Sequence, residues 1–206
     1  MLRAVAVSVM IGTFLIGMYY VVEASYVQPI QQNKLADTLN GFQAGLSYEK
    51  LVALDESERY LLVQQMQSDT IHLILQEAQN HPSFIVESKD QIKQTSNSDD
   101  LRLVTLTTIA GLKGFTADGT ASIFSSGEMV FLRLEDFGIT SGIDQHLYLT
   151  KDGSVATGID LGKLKASQGD QNYDITGIDT EIYNVLIVYS KTFDTYYAHA
   201  RFLKTE

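Results

Sequence analysis

The chain has 206 residues, no cysteine, and a formal charge of -10 from 15 basic and 25 acidic side chains. The missing cysteine removes disulfides, thiolate nucleophiles, Fe–S ligation and thiolate zinc sites together. The acidic balance argues against nucleic acid as a partner, because phosphate backbones are repelled, while a 45% hydrophobic and 10% aromatic content is enough to bury a core rather than stay disordered.

Ala4 to Val22 carries no charge. A bilayer needs about 20 apolar residues in a helix and a signal-peptide core about 7–15, so this length predicts an uncleaved transmembrane anchor over residues 1–24. Arg3 at the start predicts a cytoplasmic N-terminus with the remainder outside, in a single-pass protein of the cell membrane. Val22-Glu23-Ala24 before Ser25 also fits a cleavage site, and cleavage after Ala24 gives a secreted protein instead.

Residues 25–46 are polar, with Pro29 near their start, and predict a juxtamembrane linker. A helical segment is expected over 47–80. Ser47 caps a short helix through Leu54, and Asp55 with Glu58 predicts the cap of a longer one. Leu61, Leu62, Met66, Leu73, Ile74, Leu75 and Ala78 form its apolar stripe, and Asn80-His81-Pro82 stops it. Residues 81–100, charged and amide-rich, read as a second linker.

From Leu101 to the end the period changes to two. LRLVTLTTIAG, TASIF, VFLRLEDF, QHLYLT, ASQGDQNYDI and YNVLIVYSKTF are short, rich in β-branched and aromatic residues, and separated by turn signals. With no helices between them they predict an antiparallel β-sandwich, so the whole chain reads as mostly β, preceded by a transmembrane helix and a short helical segment. Val185 to Tyr189 is apolar on both faces and predicts a central strand. Val130 to Thr150 predicts a β-hairpin whose turn lies at Gly138 to Gly142.

Within this half, Gly114-Phe115, Gly119-Thr120-Ala121, LRLEDF (Leu132 to Phe137), Gly142 with Asp144, HLYL (His146 to Leu149), DLGKLK (Asp160 to Lys165), GDQNY (Gly169 to Tyr173), VLIVYSKTF (Val185 to Phe193) and the closing Ala198 to Ala200 occur in that order. Together, from Lys113 to Phe202, they resemble the extracellular domain family called DM thirteen, associated with electron transfer and found beside DOMON domains. The resemblance implies a β-sandwich outside the cell, a redox connection, and a cysteine before the lysine of the last motif. Here that position is Ser190, and Ile143 stands where the family usually has proline. A serine hydroxyl has no accessible redox couple, so a role resting on that sulfur does not carry over.

Four sets of residues are candidates for chemistry. Asp144 and His146, two apart at a strand start, can share one face and bind a metal or orient a proton transfer, or His146 can be a hydrogen-bonded structural histidine. Haem, which the DOMON association brings in, would take Met129 with His146 or His199 as axial ligands. Asp170, Asn172, Asp174 and Glu181 have the spacing of a calcium loop, although Ile175 stands where its sharp turn needs glycine. Tyr189, Tyr196 and Tyr197 lie near Ser190 and fit core packing or a charge relay. The reading that follows is a membrane-anchored binding or accessory module with an unknown protein partner and the membrane held through residues 4–22; the alternative is an electron-transfer domain carrying its own cofactor near His146.

Overall fold

The computed structural model describes residues 33–203. The predicted anchor at Ala4 to Val22 lies outside them, and among the described residues no helix is long and apolar enough to cross a membrane.

The chain divides into two compact units, one holding residues up to Ala53 with Met66–Ile74, the other Leu54–Gln65 with everything from Leu75 onward. In the first unit residues 33–42 are helical (α1), so part of the stretch expected as linker is structured. Asn40 accepts a hydrogen bond from the Gly45 N–H at 2.7 Å and closes the turn after α1. Ser47 then caps α2 (Tyr48–Ala53) as its position predicts, accepting from the Lys50 N–H.

The expected long helix from Asp55 is two helices, α3 (Glu56–Val63) and α4 (Ser68–Ala78), with residues 64–67 between them. Asp69 in the first turn of α4 suits a fresh N-terminus. Asp55 does cap α3, accepting from the Glu58 N–H. The stripe also turns differently: Leu61 is exposed, and the buried residues of α3 are Arg59 and Val63. Periodicity scores Arg59 as polar, whereas an ion pair holds it inside.

The second unit is built on two five-stranded sheets. Its elements from Ser83 on are β1 (Phe84–Val86), α5 (Lys89–Ser96), β2 (Leu101–Thr108), β3 (Ala110–Gly111), β4 (Ala117–Ser126), β5 (Met129–Ile139), β6 (Gln145–Thr150), β7 (Ile159–Lys163), β8 (Gln168–Asp174), β9 (Val185–Ser190) and β10 (Thr195–Arg201). The first sheet has the order β1-β8-β5-β4-β2, the second β3-β10-β9-β6-β7. All pairs are antiparallel except β1 with β8. Ile123, Leu132 and Leu134 of the first sheet and Leu147, Leu149, Leu186 and Val188 of the second share one core. Two sheets that bury their inner faces together make a β-sandwich, as the strand spacing predicts.

Two expectations are corrected. The stretch 81–100 is no bare linker: it holds β1, and α5 with a reciprocal capping box between Ser88 and Gln91. Val130 to Thr150 is no hairpin, since β5 pairs with β4 and β8 while β6 pairs with β7 and β9 in the other sheet. Alternation says which face a side chain takes and not which strand lies beside it; five residues, 140–144, suffice to arch across the roughly 10 Å between sheets. Gly142 of this arch is needed as glycine because a Cβ there would lie 2.5 Å from the Tyr197 hydroxyl oxygen. From Leu101 on every ladder is antiparallel, as expected, and the one parallel pair joins β8 to β1 upstream. Val185 to Tyr189 is central, in β9, and every residue of that strand is buried.

Candidate functional site

The arch that carries the chain between sheets ends at Asp144, in the left-handed conformation with φ 52°. Aspartate tolerates that region better than most residues. Its side chain is only 3% exposed, and Arg59 of α3 clasps it with Nε to Oδ2 at 2.7 Å and Nη2 to Oδ1 at 2.9 Å. Thr192 donates its hydroxyl to Oδ2 at 2.8 Å, and Lys163 Nζ lies 3.5 Å from Oδ1. Burial pushes the Asp144 carboxyl up, but the hydrogen bonds from Arg59 and Thr192 and the charges of Arg59 and Lys163 outweigh it and hold the carboxyl below the usual range.

His146 begins the alternation of β6 and is caught between two carboxylates. Nδ1 is 2.9 Å from Asp160 Oδ2 on β7, and Nε2 is 3.2 Å from Glu56 Oε2 on α3. A neutral imidazole has one N–H donor, so satisfying both carboxylates at once takes the doubly protonated ring. Lys163 completes the group with Nζ 3.0 Å from Glu56 Oε2, a hydrogen bond that raises the ammonium above its ordinary value. The result is a closed cluster of Arg59, Lys163 and His146 against the carboxylates of Glu56, Asp144 and Asp160. Glu56 and Arg59 lie three apart on α3, so one helical face docks on the end of the second sheet.

Asp144 and His146 lie in one cluster, linked through Glu56 and Lys163, but Asp144 precedes β6 in a left-handed turn and not on the strand whose alternation the spacing assumes. Among the described residues no group of three or more His, Asp or Glu side chains is arranged to hold a metal ion. Haem ligation does not fit either: both nitrogens of His146 face carboxylates, and Met129 stands on the first sheet. His199 is exposed on β10, and Ile187 of β9 stands between it and Tyr148 in the ladder.

The calcium spacing is corrected as well. Asp170, Asn172 and Asp174 lie along β8, and a strand puts alternate residues on one face. That face is filled by Arg133, whose guanidinium donates to Asp170 Oδ2 and to Asn172 Oδ1 at 2.7 Å each. Asp174 accepts from the Thr176 N–H, and Glu181 follows in the loop beyond. A buried arginine occupies the place assigned to the cation, and the site is a strand rather than a loop.

Ser190 ends β9. Opposite it stand Gln145 on β6 and Thr195 on β10. It alternates in phase with Leu186 and Val188, which puts its side chain on the inner face of the sandwich, fully buried. Its hydroxyl has no hydrogen-bond partner among the described residues. Tyr189, one residue earlier, faces the other way. It belongs to an aromatic group on the outer face of the second sheet with Tyr148 and Tyr196. Burial, with Asp160 charge and hydrogen bonding behind it, pushes the Tyr148 phenol up to about 12. Burial, then the hydrogen bond to Asp194, pushes Tyr189 up as well.

Sequence reasoning missed Glu56, Arg59, Tyr148, Asp160 and Lys163. Asp160 and Lys163 fall in the DLGKLK motif, which is the one signal that pointed near them.

Fold and site together define a β-sandwich domain with a charged clamp at one end and a buried serine beside it. Residues 112–202 match the family model described as electron transfer DM13. No curated protein and no solved structure matches the chain.

Proposed function

We propose that this protein is a membrane-anchored, outward-facing β-sandwich module that serves a redox system as a binding or accessory component, with the metal or haem cofactor borne by a protein partner. The predicted anchor at Ala4 to Val22 supports the location, with a secreted form if the chain is cut after Ala24. The domain family supports the redox connection. The observation that carries the reading is Ser190: the position where the family's sulfur is expected is a buried hydroxyl, unable to change oxidation state or to ligate as a thiolate. His146 does not replace it as a ligand, because both of its nitrogens are engaged by Glu56 and Asp160. The test is a visible absorption spectrum and a metal analysis of the full chain purified in detergent. A colourless protein without stoichiometric transition metal is expected; a bound chromophore or one metal per chain would overturn the reading in favour of a carrier with its own cofactor.

A further inference from the structure

The outer face of the second sheet carries a row of aromatic rings that crosses its strands. His146 and Tyr148 on β6 have ring centroids 6.3 Å apart, Tyr148 and Tyr189 on β9 stand 6.0 Å apart edge to face, and Tyr189 and Tyr196 on β10 are 4.7 Å apart. Tyr189 and Tyr196 are direct ladder partners, and so are Tyr189 and His146. Packing alone explains the rings, since such spacings are those of ordinary aromatic pairs. It does not explain the hydroxyls. Tyr189 donates to Asp194 at 2.8 Å, and the Asp160 carboxylate acts on the Tyr148 phenol, so the two inner phenols each have a carboxylate near to take a proton.

We propose that Tyr196, Tyr189 and Tyr148 form a one-electron relay, in which each inner tyrosine gives up its electron to the preceding ring and its proton to its own carboxylate. This deepens the accessory role proposed above and rests on it, because the oxidant is a high-potential metal-oxo centre of the partner, of the ferryl class. The oxidant takes one electron from half-buried Tyr196, whose proton goes to water. Tyr189 then passes an electron to the Tyr196 radical, which regains a proton from water, while the Tyr189 proton moves to Asp194. Tyr148 next reduces the Tyr189 radical, which takes its proton back from Asp194, and the Tyr148 proton moves to Asp160. A one-electron donor of the ascorbate class reduces the Tyr148 radical, Asp160 returns the proton, and the row is restored.

The charges give the row a direction. Lys113 Nζ sits 5.4 Å from the centre of the Tyr196 ring, so positive charge is disfavoured at that end. Asp194 and Asp160 lie further along, where an oxidised phenol needs an anion beside it. A tyrosine oxidised without a proton acceptor becomes a strongly acidic cation; the Tyr189–Asp194 hydrogen bond and the Asp160 carboxylate near Tyr148 avoid that state. Ser190, next to Tyr189 but on the inner face, takes no part.

The test is photo-oxidation of the full chain in detergent by tris(bipyridyl)ruthenium with a cobalt(III) quencher, read as tyrosyl radical by electron paramagnetic resonance. The chain has 11 tyrosines, so location is read from variants. Tyr189→Phe keeps the ring and is expected to lower the radical yield several-fold, as is Tyr196→Phe at the half-exposed end. Tyr183→Phe, outside the row, is expected to leave it unchanged. Asp194→Asn, which leaves every ring in place, is expected to lower the yield as well, a result that packing alone would not produce. Equal yields in the wild type and all four variants would mean indiscriminate oxidation and would overturn the relay. That failure leaves the partner-borne cofactor standing, whereas a chromophore in the isolated protein removes the latter and not the row.

Discussion

A buried thiol behaves as a small apolar group and needs no partner, but a buried hydroxyl deprived of water without one costs about 1–3 kcal/mol. Ser190 is in the second situation, on the inner face beside Val188 and Leu186. Ser190→Ala and Ser190→Cys are therefore expected to raise stability by about 1–3 kcal/mol, read as a higher denaturant midpoint at unchanged slope. A fall in midpoint for both would show that the hydroxyl is satisfied after all. Arg59 and Asp144 present the reverse case. Each of these charges is buried against the other, and deleting one removes the main compensation of the charge left behind.

At the scale of elements, strands whose pattern decides burial were legible and pairings were not. Val185 to Tyr189 reads as central because both faces are apolar, and Ser47 and Asp55 read as caps because a side-chain oxygen before a helix has a local job. The arch at 140–144 was misread since two alternating strands look alike whether they lie side by side or in different sheets. β10 was missed as a separate strand because Tyr196 and Tyr197 straddle a register shift that breaks the alternation. Of the cluster, Asp144 and His146 are the residues the sequence singles out; Glu56 and Arg59 lie more than eighty positions away in sequence, and nothing local announces an ion pair of that range.

β2 makes a prediction at this scale. It is an edge strand of eight residues, and Leu103, Val104 and Leu106 are each about half exposed along it. Bare apolar edges invite pairing with other chains, and a charge on the edge is the usual remedy. Leu106→Lys should leave the melting free energy within about 0.5 kcal/mol, as exposed surface changes do, and should slow light-scattering growth during concentration. An unchanged rate would place the sticky surface elsewhere.

The molecule as a whole is bounded by acid and by alkali at different residues. The Asp144 carboxyl sits lower in the folded chain than in the unfolded one, so its stabilisation is present above the unfolded carboxylate range and is lost as pH falls through the folded value. Tyr148 runs the other way. Its phenol is raised from 10.0 to about 12, so the folded state keeps a proton that the unfolded chain releases, and this contribution, full below pH 10, disappears between the two values. Denaturation midpoints across pH should therefore drop at both ends. Asp144→Asn should flatten the acid limb while lowering the plateau by about 3–5 kcal/mol, since Arg59 loses the buried carboxylate that compensates its charge, and Tyr148→Phe should flatten only the alkaline limb.

β1 gives the domain a boundary that family likeness does not. Phe84–Val86 lies parallel to β8, and Ser83 and Ser167 fasten it by exchanging backbone N–H to hydroxyl bonds at 2.9 and 3.0 Å. On the opposite flank β2 covers β4. Both flanking strands precede residue 112, as do the α3 side chains that clasp Asp144 and His146. A fragment cut where the match begins would also lose β3 from beside β10, would carry three naked ladders and severed ion pairs, and would clump rather than fold. The smallest piece worth making starts upstream of Asp55.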